Sequence, residues 1–218
     1  DEKRIISNTR FEGNPVIRPA DTPSRPKGWR QLVSKPDAGL KISVAPPQKA
    51  NGIALQQHAV ISAGLDGQPI SVDATAILAQ EVRSPFPGVY RILIEYMVDG
   101  DAEAFQHVFD KRVSCHLVYF QFTQQNKQIT GRSVMAELPF QPNVSMAEKP
   151  ELQKVEFTRE FLNPTAGTNF SFGLGLGVGL ELKNRSQQPI EVSKPVMLRI
   201  THFELEFLGK TRNKDITS

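Results

Sequence analysis

Short stretches in which hydrophobic and polar residues alternate recur along the chain. Leu40–Val44 alternates and ends at a Pro-Pro pair, and Val89–Val98 alternates up to the turn signal Asp99–Gly100. A period of two puts successive side chains on opposite faces, as in a β-strand with one buried face. The same reasoning predicts four further strands: Cys115–Thr123, Val155–Phe161, Phe170–Leu182 and Met197–Leu208.

The stretch Val89–Val98 has two chemically different faces. One face carries only hydrophobic and tyrosine side chains: Tyr90, Ile92, Ile94, Tyr96 and Val98. The other face is mixed, with Arg91 and Glu95 between Leu93 and Met97. We therefore expect the first face to point into the core and the second to point outward.

Helical patterns are few. Ala74–Val82 follows a capping aspartate and has a composition that suits a helix, but we favour a strand because its neighbours are all strands. Ala147–Gln153 could form one helical turn, interrupted by Pro150. The 16 prolines and 15 glycines are scattered and would break long helices. The pattern predicts an all-β fold in which antiparallel sheets stack as a sandwich, with long loops and little helix.

The chain shows no internal repeat and no low-complexity linker. Its 218 residues match one domain over 1–218, with an ordered core at about 5–209 and a tail at 210–218. Asn14–Pro26 and Gln124–Pro150 are polar, proline-containing stretches that we interpret as long loops.

Charge and composition exclude several classes. The 26 basic and 23 acidic residues leave a net charge of +3 with no basic cluster, so we expect no nucleic-acid partner. Arg91 and Glu95 interrupt the longest apolar stretch, so we expect no membrane insertion. The single cysteine, Cys115, allows no internal disulfide and no cysteine-based zinc site, and its apolar surroundings favour a buried structural thiol.

Enzymatic motifs are absent from the sequence. None of the four histidines lies in a recognisable motif, and no G-x-S-x-G nucleophile elbow occurs. The alternating run Gly173–Gly179 lacks the helix that a phosphate loop needs, so it predicts a strand with one smooth face that another group can approach closely. The carboxylate pairs Glu156/Glu160 and Glu204/Glu206 fit a solvated strand face better than a glycosidase site.

Several segments, taken in order, carry a family resemblance. The segment from Asn8 to Glu12, followed by Gly28-Trp29, resembles the opening of jelly-roll carbohydrate-binding modules with the galactose-binding-like fold. Later segments follow in the family's order: Gly39–Val44, Asn51–Gln56, Pro87–Met97, Val155–Phe161 and Leu198–Leu205.

The resemblance implies a non-catalytic module of a secreted, periplasmic or cell-envelope protein that binds a glycan or polysaccharide and is attached to other domains. It also implies a structural calcium held by Glu12 and an aspartate of the closing strand. Here Thr201 and His202 stand near that aspartate's place, so Glu12 is the one calcium candidate and we expect no cofactor. Two alternatives stay open: a β-sandwich interaction or structural domain that binds protein, and a glycoside hydrolase or esterase.

A glycan site needs polar side chains beside apolar or aromatic surfaces. Arg91, Glu95, Tyr119 and Gln121 would form one mixed face if their two strands were neighbours. Trp29, the single tryptophan, is either part of the core or a platform for a sugar ring. These five residues are the predicted ligand-binding site.

Overall fold

Two β-sheets pack face to face in the computed structural model, which describes residues 5–12, 18–19, 28–33, 35, 37–82, 88–109, 113–122, 129–137, 148–161 and 175–210. Its elements, in chain order, are β1 Arg18–Pro19, β2 Arg30–Val33, β3 Leu40–Ala45, β4 Gln48–Ala50, β5 Ile53–Leu55, β6 His58–Ala63, β7 Thr75–Glu81, β8 Gly88–Gly100, α1 Ala102–Phe109, β9 Val113–Phe122, β10 Ile129–Glu137, β11 Gln153–Phe161, β12 Gly175–Asn184 and β13 Val196–Gly209. The predicted all-β sandwich is confirmed.

Sheet A has the strand order β11-β8-β13-β6-β3, and sheet B has the order β1-β2-β7-β12-β9-β10. All pairings are antiparallel except the short β1–β2 pair, which is parallel. The chain crosses between the sheets from β2 to β3, at each step from β6 to β9 and at each step from β10 to β13. Strands β4 and β5 form a separate hairpin that belongs to neither sheet.

Two helical predictions meet different outcomes. The ambiguous segment Ala74–Val82 is strand β7, as favoured. For the predicted turn at Ala147–Gln153, residue 147 lies outside the described residues, and Gln153 already begins β11. The short helix α1 was not predicted; Asp101 caps it by accepting a hydrogen bond from the backbone N–H of Ala104 at 3.0 Å.

The N-terminal segment continues sheet A by pairing with the part of β13 that follows the end of β6. Ile5 N donates to the carbonyl of Leu205, and Phe203 N donates to the carbonyl of Thr9, so this segment lies along β13. Trp29 anchors it, because its indole Nε1 donates to the carbonyl of Asn8 at 2.9 Å. The Trp29 ring packs against Phe11 on one side and Phe203 on the other, with ring centroids 4.8 and 5.7 Å away.

The alternating glycine run forms strand β12, as predicted, although Gly173 itself lies outside the described residues. This strand lies at the centre of sheet B. A Cβ atom added at Gly177 would come within 2.3 Å of the Phe120 ring, so the ring lies directly on the glycine backbone. A Cβ atom added at Gly179 would come within 2.5 Å of the Leu78 carbonyl oxygen. The smooth face is therefore filled by this chain's own groups.

The outer face of sheet B is buried as well. It carries an apolar cluster of Ile77, Ala79, Val118, Phe120 and Phe122. Glu181 lies on β12 with no exposed surface, and the Arg132 guanidinium of β10 donates to both of its carboxylate oxygens.

Cys115 on β9 is buried too, and burial raises the pKa of its thiol to about 12, as expected for a structural cysteine. Among the residues that the structure describes, no helix is long and apolar enough to cross a membrane.

Candidate functional site

The predicted mixed face of Arg91, Glu95, Tyr119 and Gln121 does not form. Arg91 and Glu95 point outward from β8 in sheet A, whereas Tyr119 and Gln121 lie on β9 in sheet B and are about 1% exposed or less. Tyr119 faces the interior: burial raises the pKa of Tyr90 on β8, and the nearby Tyr119 raises it further. The prediction was wrong because the chain crosses to the other sheet between β8 and β9.

Trp29 does not offer a sugar platform. Its side chain is 2% exposed and lies between two phenylalanine rings. Of the two alternatives that the sequence analysis left open for Trp29, the position in the core is the correct one.

Arg91 is the centre of an ion-pair network on the outer face of sheet A. Its guanidinium contacts Glu156 of β11 at 3.0 Å, and Glu204 and Glu206 of β13 at 2.6 and 3.0 Å. His202 Nε2 lies 3.2 Å from the second oxygen of Glu204. The predicted carboxylate pair Glu204/Glu206 is therefore held by one arginine.

A β-bulge in β13 interrupts this face next to Glu95. Ile200 lies opposite Tyr96 and His202 lies opposite Glu95, so Thr201 is an inserted residue without a partner in the ladder. The Thr201 hydroxyl lies 2.7 Å from Glu95 Oε1 and 3.3 Å from the Glu95 carbonyl, and donates preferentially to the carboxylate.

A groove of about 450 Å³ opens above this bulge. Its walls come from the N-terminal segment, from the β4–β5 hairpin with the residues that follow it, and from sheet A. The lining residues are Arg10, Glu12, Pro47, Ala54, Leu55, Gln56, Gln57, Glu95, Leu152 and Thr201.

Several polar groups in this groove have no partner among the residues that the structure describes. Within the described part of the chain, no hydrogen bond or ion pair engages the Arg10 guanidinium, the Glu12 carboxylate, the Gln56 side-chain amide or Glu95 Oε2. The groove thus presents free donors and free acceptors together. Pro47, Leu55 and Leu152 supply apolar surface beside them.

The β4–β5 hairpin is fixed over sheet A by apolar packing and a polar chain. Ala50 and Leu55 pack on Met97 of β8. At the hairpin tip, Asn51 Nδ2 donates to Asp99 Oδ1 at 2.7 Å, and Arg199 Nε donates to Asp99 Oδ2 at 2.8 Å. This arrangement determines the position of the groove wall.

His58 belongs to the same hydrogen-bond network, beneath the β4–β5 hairpin. Its Nδ1–H donates to the Gln56 carbonyl at 2.7 Å, and its Nε2 accepts from Arg199 Nη1 at 3.0 Å, so the ring is neutral. Burial lowers the pKa of His58 below its ordinary 6.5; the Gln56 hydrogen bond opposes this, Arg199 lowers the pKa further, and Asp99 raises it.

Acid is therefore expected to destabilise the protein as the pH falls through 6.5, the ordinary pKa of histidine, and below it. Because the folded state keeps His58 neutral, the unfolded chain takes up a proton first as the pH falls below 6.5. The free energy of unfolding should decrease by up to about 1.4 kcal/mol per pH unit for one histidine. Urea unfolding at several pH values measures the slope.

His58→Gln keeps a donor and an acceptor but cannot be protonated. The free energy of unfolding of this variant should therefore depend less steeply on pH than that of the wild type. A His58→Gln slope equal to that of the wild type would refute the role of His58.

His202 also has a lowered pKa. Burial is the main cause and the nearby Arg10 lowers it further, while Glu204 and Glu95 oppose the shift. In the described residues His202 Nδ1 has no hydrogen-bond partner. Arg10, although part of a loop, thus lies close to the bulged strand.

Glu12 remains a calcium candidate on the basis of the sequence resemblance alone. Its side chain is exposed, its backbone N–H donates to Asn8 Oδ1 at 2.9 Å, and the described residues hold no group of three or more His, Cys, Asp or Glu side chains suited to a metal.

Sequence reasoning missed Arg10, Gln56, Gln57 and Thr201 as site residues. The spacing of apolar residues in β13 did carry a signal. Leu198 and Ile200 are followed by Phe203 and Leu205, so a period of two is broken once by a step of three. Such a step is what a bulge produces.

No protein-family model and no curated protein matches the sequence. Solved structures of similar fold include a CBM4 structure (10% identity, 93% of this chain and 99% of that chain, TM-score 0.43) and the family 11 carbohydrate-binding module from Clostridium thermocellum in complex with a β-1,3-1,4-mixed-linked tetrasaccharide (8%, 96% and 97%, 0.42). Another is the enzymatically active domain of bacteriophage CBA120 tailspike protein 4 (11%, 83% of this chain, 0.37), and the chain spans 19% of that protein's length. Carbohydrate-binding modules recur among these solved structures.

Proposed function

We propose that this domain is a non-catalytic carbohydrate-binding module whose groove holds a short segment of a glycan. The observation that carries the proposal is the set of groove donors and acceptors that have no partner in the described part of the chain, next to apolar surface. Sugar hydroxyls both donate and accept hydrogen bonds, whereas sugar C–H faces need apolar contacts.

Each part of the lining has a role in this proposal. Arg10 and Gln56 donate to hydroxyl oxygens, and Glu12 and Glu95 accept from hydroxyl groups. Pro47, Leu55 and Leu152 contact the C–H faces. The groove volume of about 450 Å³ is within the range of small-molecule sites.

Binding without catalysis is favoured by the state of the nearby carboxylates. Glu156, Glu204 and Glu206, which belong to the carboxylate pairs considered in the sequence, all contact Arg91 as ion-pair partners and do not line the groove, so they do not form a glycosidase pair there. As the sequence resemblance implies, we propose that the module belongs to a secreted or cell-envelope protein with further domains.

Glycan binding is testable by affinity electrophoresis in gels that contain one soluble polysaccharide each, chosen from neutral β-glucans, xylans, mannans and galactans. We expect at least one to retard the protein. Glu95→Gln and Gln56→Ala should each weaken binding about tenfold, because a hydrogen bond to a charged or desolvated group is lost.

Glu160→Gln is the matched control, since it is the same substitution on the exposed face of β11 outside the groove. Retardation that is unchanged in Glu95→Gln would place the ligand elsewhere. If no polysaccharide retards the wild type, the proposed function is wrong and the protein-binding alternative replaces it.

A further inference from the structure

Glu95 has two partners within reach on the outer face of sheet A. Lys154 of β11 lies directly opposite it in the antiparallel register, and Thr201 of the bulge lies on the other side. Side chains directly opposite each other across an antiparallel pair have Cβ atoms about 4.5–5.5 Å apart, so a Glu–Lys pair at such a position ordinarily interacts.

The carboxylate is nevertheless bound to Thr201 and not to Lys154. The Thr201 hydroxyl lies 2.7 Å from Glu95 Oε1, while within the described residues no ion pair joins Glu95 to Lys154. Both Glu95 and Thr201 line the groove, and Lys154 does not.

The expected strengths of the two contacts that Glu95 can make agree with this geometry. Lys154 is exposed, and an exposed ion pair contributes little because solvent screens it and a long side chain must be ordered. Thr201 is 9% exposed, and its hydrogen bond to a charged acceptor is made away from water. The bulge is what makes this contact available, because it inserts Thr201 as an extra residue beside Glu95.

We infer that Thr201 is a positioning residue of the proposed glycan site: it turns Glu95 away from Lys154 and leaves Glu95 Oε2 free to accept one ligand hydroxyl. This inference rests on the proposed function. It adds that Thr201 orients the Glu95 carboxylate and that Oε2 is the oxygen that accepts from the ligand. Because Thr201 donates to Oε1, Oε2 keeps both of its acceptor positions for ligand hydroxyls.

The test is a double-mutant cycle measured with the polysaccharide that retards the wild type best. Thr201→Val removes the hydroxyl at nearly constant shape and should weaken binding about tenfold, and Thr201→Ser should restore it. In the Glu95→Gln background, Thr201→Val should change affinity less than twofold, because its effect passes through the carboxylate.

Lys154→Met separates positioning from simple support of the fold. Alone it should leave affinity within twofold of the wild type. Combined with Thr201→Val, it should recover much of the lost affinity, because Glu95 then has no competing partner. Thermal unfolding of each variant accompanies the binding data, and a purely structural role for Thr201 would lower the unfolding temperature without rescue by Lys154→Met.

The outcomes distinguish the two proposals. If glycans bind and Glu95→Gln weakens binding, but Thr201→Val is silent or additive with Glu95→Gln, then the positioning role is wrong and the glycan site stands. If no glycan binds the wild type, the proposed function fails first, and crystal structures of the wild type and Thr201→Val test the Thr201 contact on its own. A Glu95 carboxylate that keeps the same position in both structures would overturn the inference.

Discussion

Trp29→Ala is expected to lower the free energy of unfolding by about 3–5 kcal/mol, the range for removing a large aromatic side chain from a core. Trp29 is 2% exposed and fills the space between Phe11 and Phe203. The substitution also removes the hydrogen bond to the Asn8 carbonyl, which holds the N-terminal segment on the sandwich. Urea unfolding followed by circular dichroism measures the change.

Trp29→Phe separates the two contributions. It keeps an aromatic ring but loses the N–H donor, so we expect a loss of about 1–2 kcal/mol. Because Trp29 is the single tryptophan, the wild-type fluorescence should be blue-shifted, as for a buried indole. A loss below about 1 kcal/mol for Trp29→Ala, with emission typical of exposed indole, would show that Trp29 lies at the surface after all.

Arg132→Met is expected to cost about 3–5 kcal/mol because it leaves the Glu181 carboxylate buried without a countercharge. Glu181 has no exposed surface, and Arg132 donates to both of its oxygens from the edge strand β10. Removing one partner of such a pair therefore costs far more than the pair contributes as a whole. Urea unfolding at pH 7 measures the loss.

Removing both charges is the critical comparison. The double variant Arg132→Met, Glu181→Leu should recover most of the loss, since no charge is then buried. Arg185→Met is the control: Arg185 is exposed and donates to Ser114 at 2.6 Å, so its loss should stay below about 1 kcal/mol. A double variant as unstable as Arg132→Met would indicate that packing, and not charge, determines the effect.

The alternation of residues was sufficient to assign the faces of individual strands. In β8, the predicted inward residues from Tyr90 to Val98 are buried, and Arg91 and Glu95 point outward. This works because the pleat of a strand is a local property that a few residues determine. The smooth glycine face of β12 was predictable for the same reason.

Which strands are neighbours was not predictable from the sequence. For this reason the predicted mixed face that combined Arg91 with Tyr119 was wrong. The period of two assigns Tyr119 and Arg91 to a face each, but it does not state which sheet a strand enters. The connection through α1 carries the chain from sheet A to sheet B, so Tyr119 points toward Tyr90 from across the core. The predicted association of Tyr119 with Arg91 required a pairing that long-range packing decides.

The groove was unpredictable for a related reason. Arg10, Gln56 and Glu95 come from segments about 40 residues apart in the chain, and each is unremarkable in its own context. Only the bulge at Thr201 left a local trace, in the broken spacing of β13. Its chemical meaning depends on Glu95, which belongs to another strand.

The β4–β5 hairpin is hydrogen-bonded within itself and belongs to neither ladder of the sandwich. A change in its length or sequence can therefore alter the width of the groove while every strand pairing of the two sheets is kept. The tip, where Asn51 and Gly52 both have positive φ angles, is the natural place for such variation. Ligand preference in a protein of this architecture can thus diverge by exchange of one short segment, with the sandwich serving as a constant frame.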